Sequence, residues 1–204
     1  MKSNPAPPAA PVLGLILAGG RATRMGGGDK PLRALGGRPM LAHVIDRLAP
    51  QAAALALSVN GDPARFAAFG LPALADEDPD RPGPLAGMLA GLDHAAARGL
   101  PLVAVAPGDT PFLPRDLVAR LAGALQGAPL AYAVAGGRDH PACALIRVEL
   151  RAPLRAALAA GVRRVGAWMR DMGAAEAEFP DPEAFFNVNR PADLALAEAR
   201  LAAS

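Results

Sequence analysis

Residues 17 to 30 read Leu-Ala-Gly-Gly-Arg-Ala-Thr-Arg-Met-Gly-Gly-Gly-Asp-Lys, and most groups able to do chemistry are gathered there. Its glycines let backbone N–H groups approach an anion closely, where side chains would stand in the way. Arg21, Arg24 and Lys30 add positive charge in the same place, which suits phosphate-like oxygens. The segment is not a Walker A sequence, because Asp29-Lys30-Pro31 stands where Gly-Lys-Ser/Thr is required. No stretch of the chain supplies the G-x-G-x-x-G of a dinucleotide fold either. A glycine-rich surface turn is the plain alternative. It accounts for neither the cations nor the apolar run Val12–Leu17 that feeds the loop.

A second feature, Pro107-Gly108-Asp109-Thr110-Pro111, follows the aliphatic run Leu102–Ala106. Ligands gather at the carboxyl ends of strands in open α/β sheets, where this carboxylate falls. Mg²⁺ prefers one or two carboxylates plus phosphate oxygens, so Asp109 suits a magnesium ligand facing a bound phosphate. A helix N-cap or an Asx-turn ahead of Pro111 explains the same residue equally well.

Such residues need a scaffold, and the hydropathy pattern supplies one. Short apolar runs alternate with longer amphipathic ones, the rhythm of βα units around a mainly parallel sheet. Strands are expected at Val12–Leu17, Leu55–Asn60, Leu71–Ala75 and Leu102–Ala106, with Leu130–Ala135 and Ala142–Val148 pairing around Gly136-Gly137. Helices are expected at Pro39–Leu48, Leu85–Ala97, Asp116–Leu125, Pro153–Ala160, Val162–Met172 and Pro191–Ala202, with a short one opening at Asp62-Pro63 and a strand at Ala175–Phe179. Gly87 and Gly91 weaken their helix, but their spacing suits close packing on the sheet. The expected architecture is an α/β, Rossmann-like three-layer sandwich.

Composition narrows the class further. With 204 residues, 52% of them hydrophobic and 20% charged, the chain suits one ordinary globular domain. Residues 1–11 read as a disordered Pro/Ala-rich tail and 12–204 as a single domain. One cysteine, Cys143, excludes a disulfide framework and a cysteine-based metal site. Twenty-one Lys and Arg against 19 Asp and Glu, spread without a basic run, argue against nucleic acid as the main partner. No apolar run approaches the roughly 18 residues of a membrane span. Val12–Leu17 continues into a charged glycine loop, unlike a cleavable signal, so a cytoplasmic location is expected.

With these residues in view, the chain resembles the nucleotidyltransferases of the nucleotide-diphospho-sugar transferase-like (GT-A) fold, and among them the molybdenum cofactor guanylyltransferases. The family pattern L-A-G-G-x-x-x-R-M-G-G-x-D-K stands at Leu17–Lys30, P-G-P-L-A-G at Pro82–Gly87, D-T-P-[FY]-[IL]-P at Asp109–Pro114 and F-F-N-V-N-x-P at Phe185–Pro191. Asn60-Gly61-Asp62-Pro63 and His140-Pro141 are smaller echoes, so the resemblance runs from about Val12 to Leu201. Gly108 departs from it, since many relatives carry cysteine there; metal binding does not need that thiol.

The resemblance implies that the terminal phosphate of molybdopterin, loaded with molybdenum, attacks the α-phosphate of GTP and releases pyrophosphate. It implies that Leu17, Ala18, Gly19 and Gly20 contact the nucleotide, that Asn60 and Asp76 add further contacts, and that Lys30 with Arg24 neutralises phosphate. Asp109 then matches the ligand of a Mg²⁺ cofactor. Asn187 and Asn189 would hold the pterin or the metal's water shell; a turn capping the helix near Pro191 is their equally good alternative. Cofactor-delivery and molybdoenzyme-maturation proteins are the further partners implied. Cytidylyl transfer to molybdopterin, or nucleotidyl transfer to a sugar phosphate, remains open on the same fold. A non-catalytic GTP-binding module is the rival from another class, and retention of both Lys30 and Asp109 argues against it.

The remaining reactive side chains read mainly as structure. His43 fits a half-buried helix position, Cys143 a small core residue, and Trp168 and Met169 helix packing. His140 carries a substrate-side reading through its motif, with a structural role preferred.

Overall fold

A computed structural model describes residues 10–19, 29–75 and 83–203. The strands are β1 (Val12–Leu17), β2 (Ala34–Leu35), β3 (Arg38–Pro39), β4 (Ala54–Val59), β5 (Ala73–Ala75), β6 (Leu102–Pro107), β7 (Leu130–Ala135), β8 (Arg138–Arg147) and β9 (Ala175–Phe179). The helices are α1 (Met40–Leu48), α2 (Pro84–Ala97), α3 (Leu117–Leu125), α4 (Arg151–Ala159), α5 (Val165–Asp171) and α6 (Pro191–Ala202). Seven strands form one sheet in the order β5-β4-β1-β6-β8-β7-β9. Only β8 runs against its neighbours β6 and β7; the pairings of β1 with β4 and β6, of β4 with β5, and of β7 with β9 are parallel.

Aliphatic side chains alternate across β1 and seal both faces. Val12 and Ile16 join Leu41, Val44 and Leu48 of α1 and Leu117 and Leu121 of α3. Leu13 and Leu15 join Met88 and Leu92 of α2, Leu154 of α4 and Trp168 of α5. Burying a strand on both faces in this way is why it reads as a continuous apolar run. The expected three-layer α/β sandwich is the observed one.

Most expected elements occur with ends moved by a residue or two; two differ more, and one small hairpin is new. The helix expected at Val162–Met172 begins at Val165, because Gly161 at φ +87° turns the chain after α4. The hairpin strand expected at Ala142–Val148 begins at Arg138 and ends at Arg147. Its loop is Gly136-Gly137, at φ +57° and +72°, the left-handed pair that a two-residue hairpin turn demands. The small β2–β3 hairpin was not expected at all. The segment after Asp62-Pro63 is a 3₁₀ helix, Pro63–Phe69, with the Asp62 carboxylate accepting from Ala64 N–H at 2.9 Å.

A third, smaller cluster has a positioning role. Leu35, Met40, Phe112, Val188 and Ala197 are packed together, and they tie the segment 186–190 beneath α6 to the loop after β6. Residues 1–9 of the expected N-terminal tail lie outside the described residues.

Candidate active site

The carboxyl ends of β4, β1 and β6 open into one pocket of about 500 Å³. Ser58 and Asn60 line it at β4, Leu17 and Gly19 at β1, and Pro107 and Asp109 at β6. Because β8 is reversed, its mid-strand residue Ala142 reaches the same pocket, which Asn187 also lines. The expected site residues Leu17, Gly19, Lys30, Asn60, Asp109 and Asn187 therefore meet in one wall. Arg24, Gly20 and Asp76 lie outside the described residues.

Hydrogen bonds between successive strand ends fix this edge. Ala18 N–H donates to Ser58 C=O at 2.8 Å, and Gly108 N–H donates to Leu17 C=O at 3.0 Å. The Asn60 amide donates to Gly19 C=O at 3.1 Å. Ala18 keeps its side chain in the core, so its backbone is what it offers at this edge. Arg65, on the 3₁₀ helix, donates to Asn60 C=O at 2.6 Å and pairs with Asp29 at 2.7 Å. That anchors Asp29 immediately before Lys30.

Lys30 and Asp109 form an ion pair with side chains only 13% and 14% exposed. The same ammonium donates to Asn189 Oδ1 at 2.6 Å. Val188 N–H donates to Asp109 C=O at 3.0 Å, and the fully buried Thr110 hydroxyl donates to Asn187 Oδ1 at 2.7 Å. The segment 187–189 is thus stitched along the Asp109-Thr110 turn.

These contacts exclude helix-capping roles that the sequence left open. Asp109 caps no helix, since α3 starts at Leu117 and the Asp109 carboxylate faces Lys30. Neither Asn187 nor Asn189 caps α6. Asp193 does so, its carboxylate accepting from the backbone N–H of Asn189 and Arg190 at 2.8 and 2.9 Å.

The other titratable residues are structural. His43 bonds Leu35 C=O through Nε2 at 2.8 Å. His140 stacks on Phe185 with ring centroids 4.5 Å apart; burial first, then Arg138, lowers its pKa. It lies outside the pocket wall. Burial, and secondarily Asp109, pushes the Cys143 thiol upward, which makes it inert. Trp168 and Met169 are core residues, as expected.

Sequence reasoning missed Ser58 and Thr110. Ser58 had a signal, being the one polar residue in the run Ala54–Val59. Thr110 stands in the Asp109–Pro114 motif, but its bond to Asn187, 77 positions away, had no signal.

A lysine and a carboxylate gathered where strands of a mainly parallel sheet end suit a nucleotidyltransferase. The sequence profile of the MobA-like NTP transferase domain matches residues 14–175, and the chain belongs to that family. It is 55% identical over 190 residues to the molybdenum cofactor guanylyltransferase of Cereibacter sphaeroides, covering 93% of this chain and 97% of that one. The protein of the same name from Rhodopseudomonas palustris (strain BisB5) is 52% identical over 207 residues, covering 97% and 95%. Among solved structures, molybdopterin-guanine dinucleotide biosynthesis protein A from Archaeoglobus fulgidus shares the fold, with a TM-score of 0.75 at 21% identity over 94% of this chain and all of that one. No helix among the described residues is long and apolar enough to cross a membrane.

Proposed function

We infer that the chain transfers GMP from GTP to the terminal phosphate of molybdopterin. A phosphate oxygen of the pterin substrate attacks the α-phosphorus of GTP. A new P–O bond forms there, the bond to the oxygen bridging the β-phosphate breaks, and pyrophosphate leaves with that electron pair. The observation that supports this most is the near-full-length identity to named guanylyltransferases, with the site's chemistry in agreement.

Phosphoryl-type transfer needs positioning and charge neutralisation more than covalent help. A phosphate nucleophile is already anionic, so no general base is required of the wall. Lys30 neutralises charge at the phosphates, Leu17, Gly19 and Asn60 seat the nucleoside, and Asn187 and Asn189 face the acceptor side. Arg24, Gly20 and Asp76 join them on the strength of their motif positions.

Asp109 is the only carboxylate in the pocket wall among the described residues. One carboxylate beside a site for phosphate oxygens fits what Mg²⁺ prefers, so Asp109 is the residue that would hold it. Bound there, the ion supplies Lewis-acid stabilisation of charge on the phosphates. The GTP and pterin substrates imply delivery of the pterin by an accessory protein, and a cytoplasmic site of action.

Pyrophosphate release in the presence of molybdopterin, compared for GTP, CTP, ATP and UTP, tests the reading. Strong preference for GTP is expected. Equal or greater turnover with CTP would remove the guanylyl assignment and leave the fold standing.

A further inference from the structure

We propose that Ser58 is a specificity-determining residue whose hydroxyl hydrogen-bonds the polar edge of the nucleotide base. The inference rests on the nucleotidyl-transfer reading above and assigns the base end of that pocket.

Ser58 and Thr110 are the buried polar side chains among the described residues, at 4% and 0% exposure. Thr110 is satisfied by Asn187. The Ser58 hydroxyl makes no hydrogen bond among the described residues, although its backbone carbonyl is engaged by Ala18. The hydroxyl oxygen is not among the buried polar atoms sealed away without a partner, so it can still form a bond. Ser58 stands in the pocket wall, so a ligand can supply that bond.

Helix α2 is shaped to leave the hydroxyl its place. A Cβ at Gly87 would lie 2.2 Å from Ser58 Oγ and 3.2 Å from Leu17 Cδ2. Any larger residue at 87 would displace the serine side chain.

The order of strands identifies which part of the ligand arrives there. Lys30 and Asp109 place the phosphates near β1 and β6, and Ala142 with Asn187 marks the acceptor side at β8. Ser58 lies on the opposite side, on β4. Two strand spacings separate β4 from β6, about 10 Å, which leaves room for a ribose between phosphate and base. A serine hydroxyl both donates and accepts, and base edges present both kinds of partner. A polar group buried to bond a substrate rejects analogues that leave it unpaired.

The test uses the full chain with Ser58→Ala, which removes one oxygen and leaves the fold's packing in place. Dissociation constants are measured calorimetrically with Mg²⁺ for GTP, CTP and inorganic tripolyphosphate, a probe that has no base. Expected are a roughly tenfold loss of GTP affinity, a lower GTP-to-CTP ratio, and unchanged tripolyphosphate binding. The melting temperature without nucleotide should stay level, because the hydroxyl bonds nothing among the described residues. Unchanged GTP affinity, equal losses for GTP and tripolyphosphate, or a lower melting temperature would each overturn the assignment. If the unaltered protein prefers CTP, the guanylyl reading fails separately, and Ser58 is judged by the same comparison of CTP with tripolyphosphate.

Discussion

Lys30 and Asp109 stand 79 positions apart in the chain and meet as an ion pair at the edge shared by β1 and β6. Asn189, 159 positions from Lys30, accepts from the same ammonium. The cation is therefore held by groups from two separate segments before any phosphate arrives, and its position costs little to organise at the moment of reaction.

Replacing Lys30 by Ala should lower kcat about 10²–10³-fold, the usual cost of removing one preorganised charge-stabilising donor. GTP binding should weaken by much less, because the ammonium acts mainly on charge that develops during transfer. Steady-state kinetics beside calorimetric GTP titration separate the two. A change in KM alone would reduce Lys30 to a binding residue.

Asp109→Asn removes charge but keeps size and an oxygen able to accept from Lys30. Since Asp109 caps no helix, the melting temperature should move little while turnover falls by orders of magnitude. An active variant that melts much lower would make this side chain structural and put the metal elsewhere, with Asp76 the next residue to examine.

What could be read ahead of the structure was what lies contiguous in sequence. Leu17–Lys30 and Asp109–Pro114 carry their chemistry within single segments, and β1 and β6 reveal themselves as unbroken aliphatic runs. The choice between capping and site roles for Asn187 and Asn189 was not legible, because it turns on Asp193 taking over the cap. The pairing of Asp109 with Lys30 was equally hidden, since the two lie 79 positions apart. The β2–β3 hairpin escaped notice because strands of two residues have no period to detect. Nor does local pattern reveal that β8 inserts between β6 and β7, which is what carries Ala142 into the pocket.

Gly91→Ala tests the close approach of α2 to the sheet. In an open helix the exchange would gain about 0.5–1 kcal/mol. Here the new Cβ would lie 2.4 Å from Leu15 Cδ2, and Leu15 is fully buried, so its side chain would have to shift within the core. Overpacking of this kind costs about 1–3 kcal/mol, so the sign reverses. Thermal unfolding should fall by about 2–4 °C for each kcal/mol lost. A higher melting temperature would show that α2 can shift freely.

His140 gives stability an acid-side dependence. Burial, reinforced by Arg138 and partly opposed by Asp139, lowers its folded pKa, so the native state binds fewer protons than the unfolded chain. Stability is then complete above the ordinary imidazole range and declines as pH falls toward the depressed native value. His94 is lowered in the same sense by burial and Arg98. His140→Phe keeps a ring against Phe185 and should flatten part of the decline in melting temperature below neutrality. An unaltered acid profile would assign the whole effect to other groups.

Thr110→Val separates the two ends of the pocket. Valine matches threonine in shape but cannot bond Asn187, so a fully buried 2.7 Å hydrogen bond is lost. Breaking such a bond costs about 1–3 kcal/mol, measurable as a lower denaturant midpoint with unchanged slope. The functional consequence falls on the acceptor side, because Asn187 is held by Thr110 after β6, two strands from Ser58 on β4. The KM for molybdopterin should rise severalfold while GTP affinity stays near that of the unaltered protein. Thr110→Ser restores the hydroxyl and should recover most of that KM, which a purely packing role would not predict. Parallel losses of GTP and molybdopterin binding would instead mean that the Asp109-Thr110 turn holds the whole pocket, and that Asn187 has no separate task.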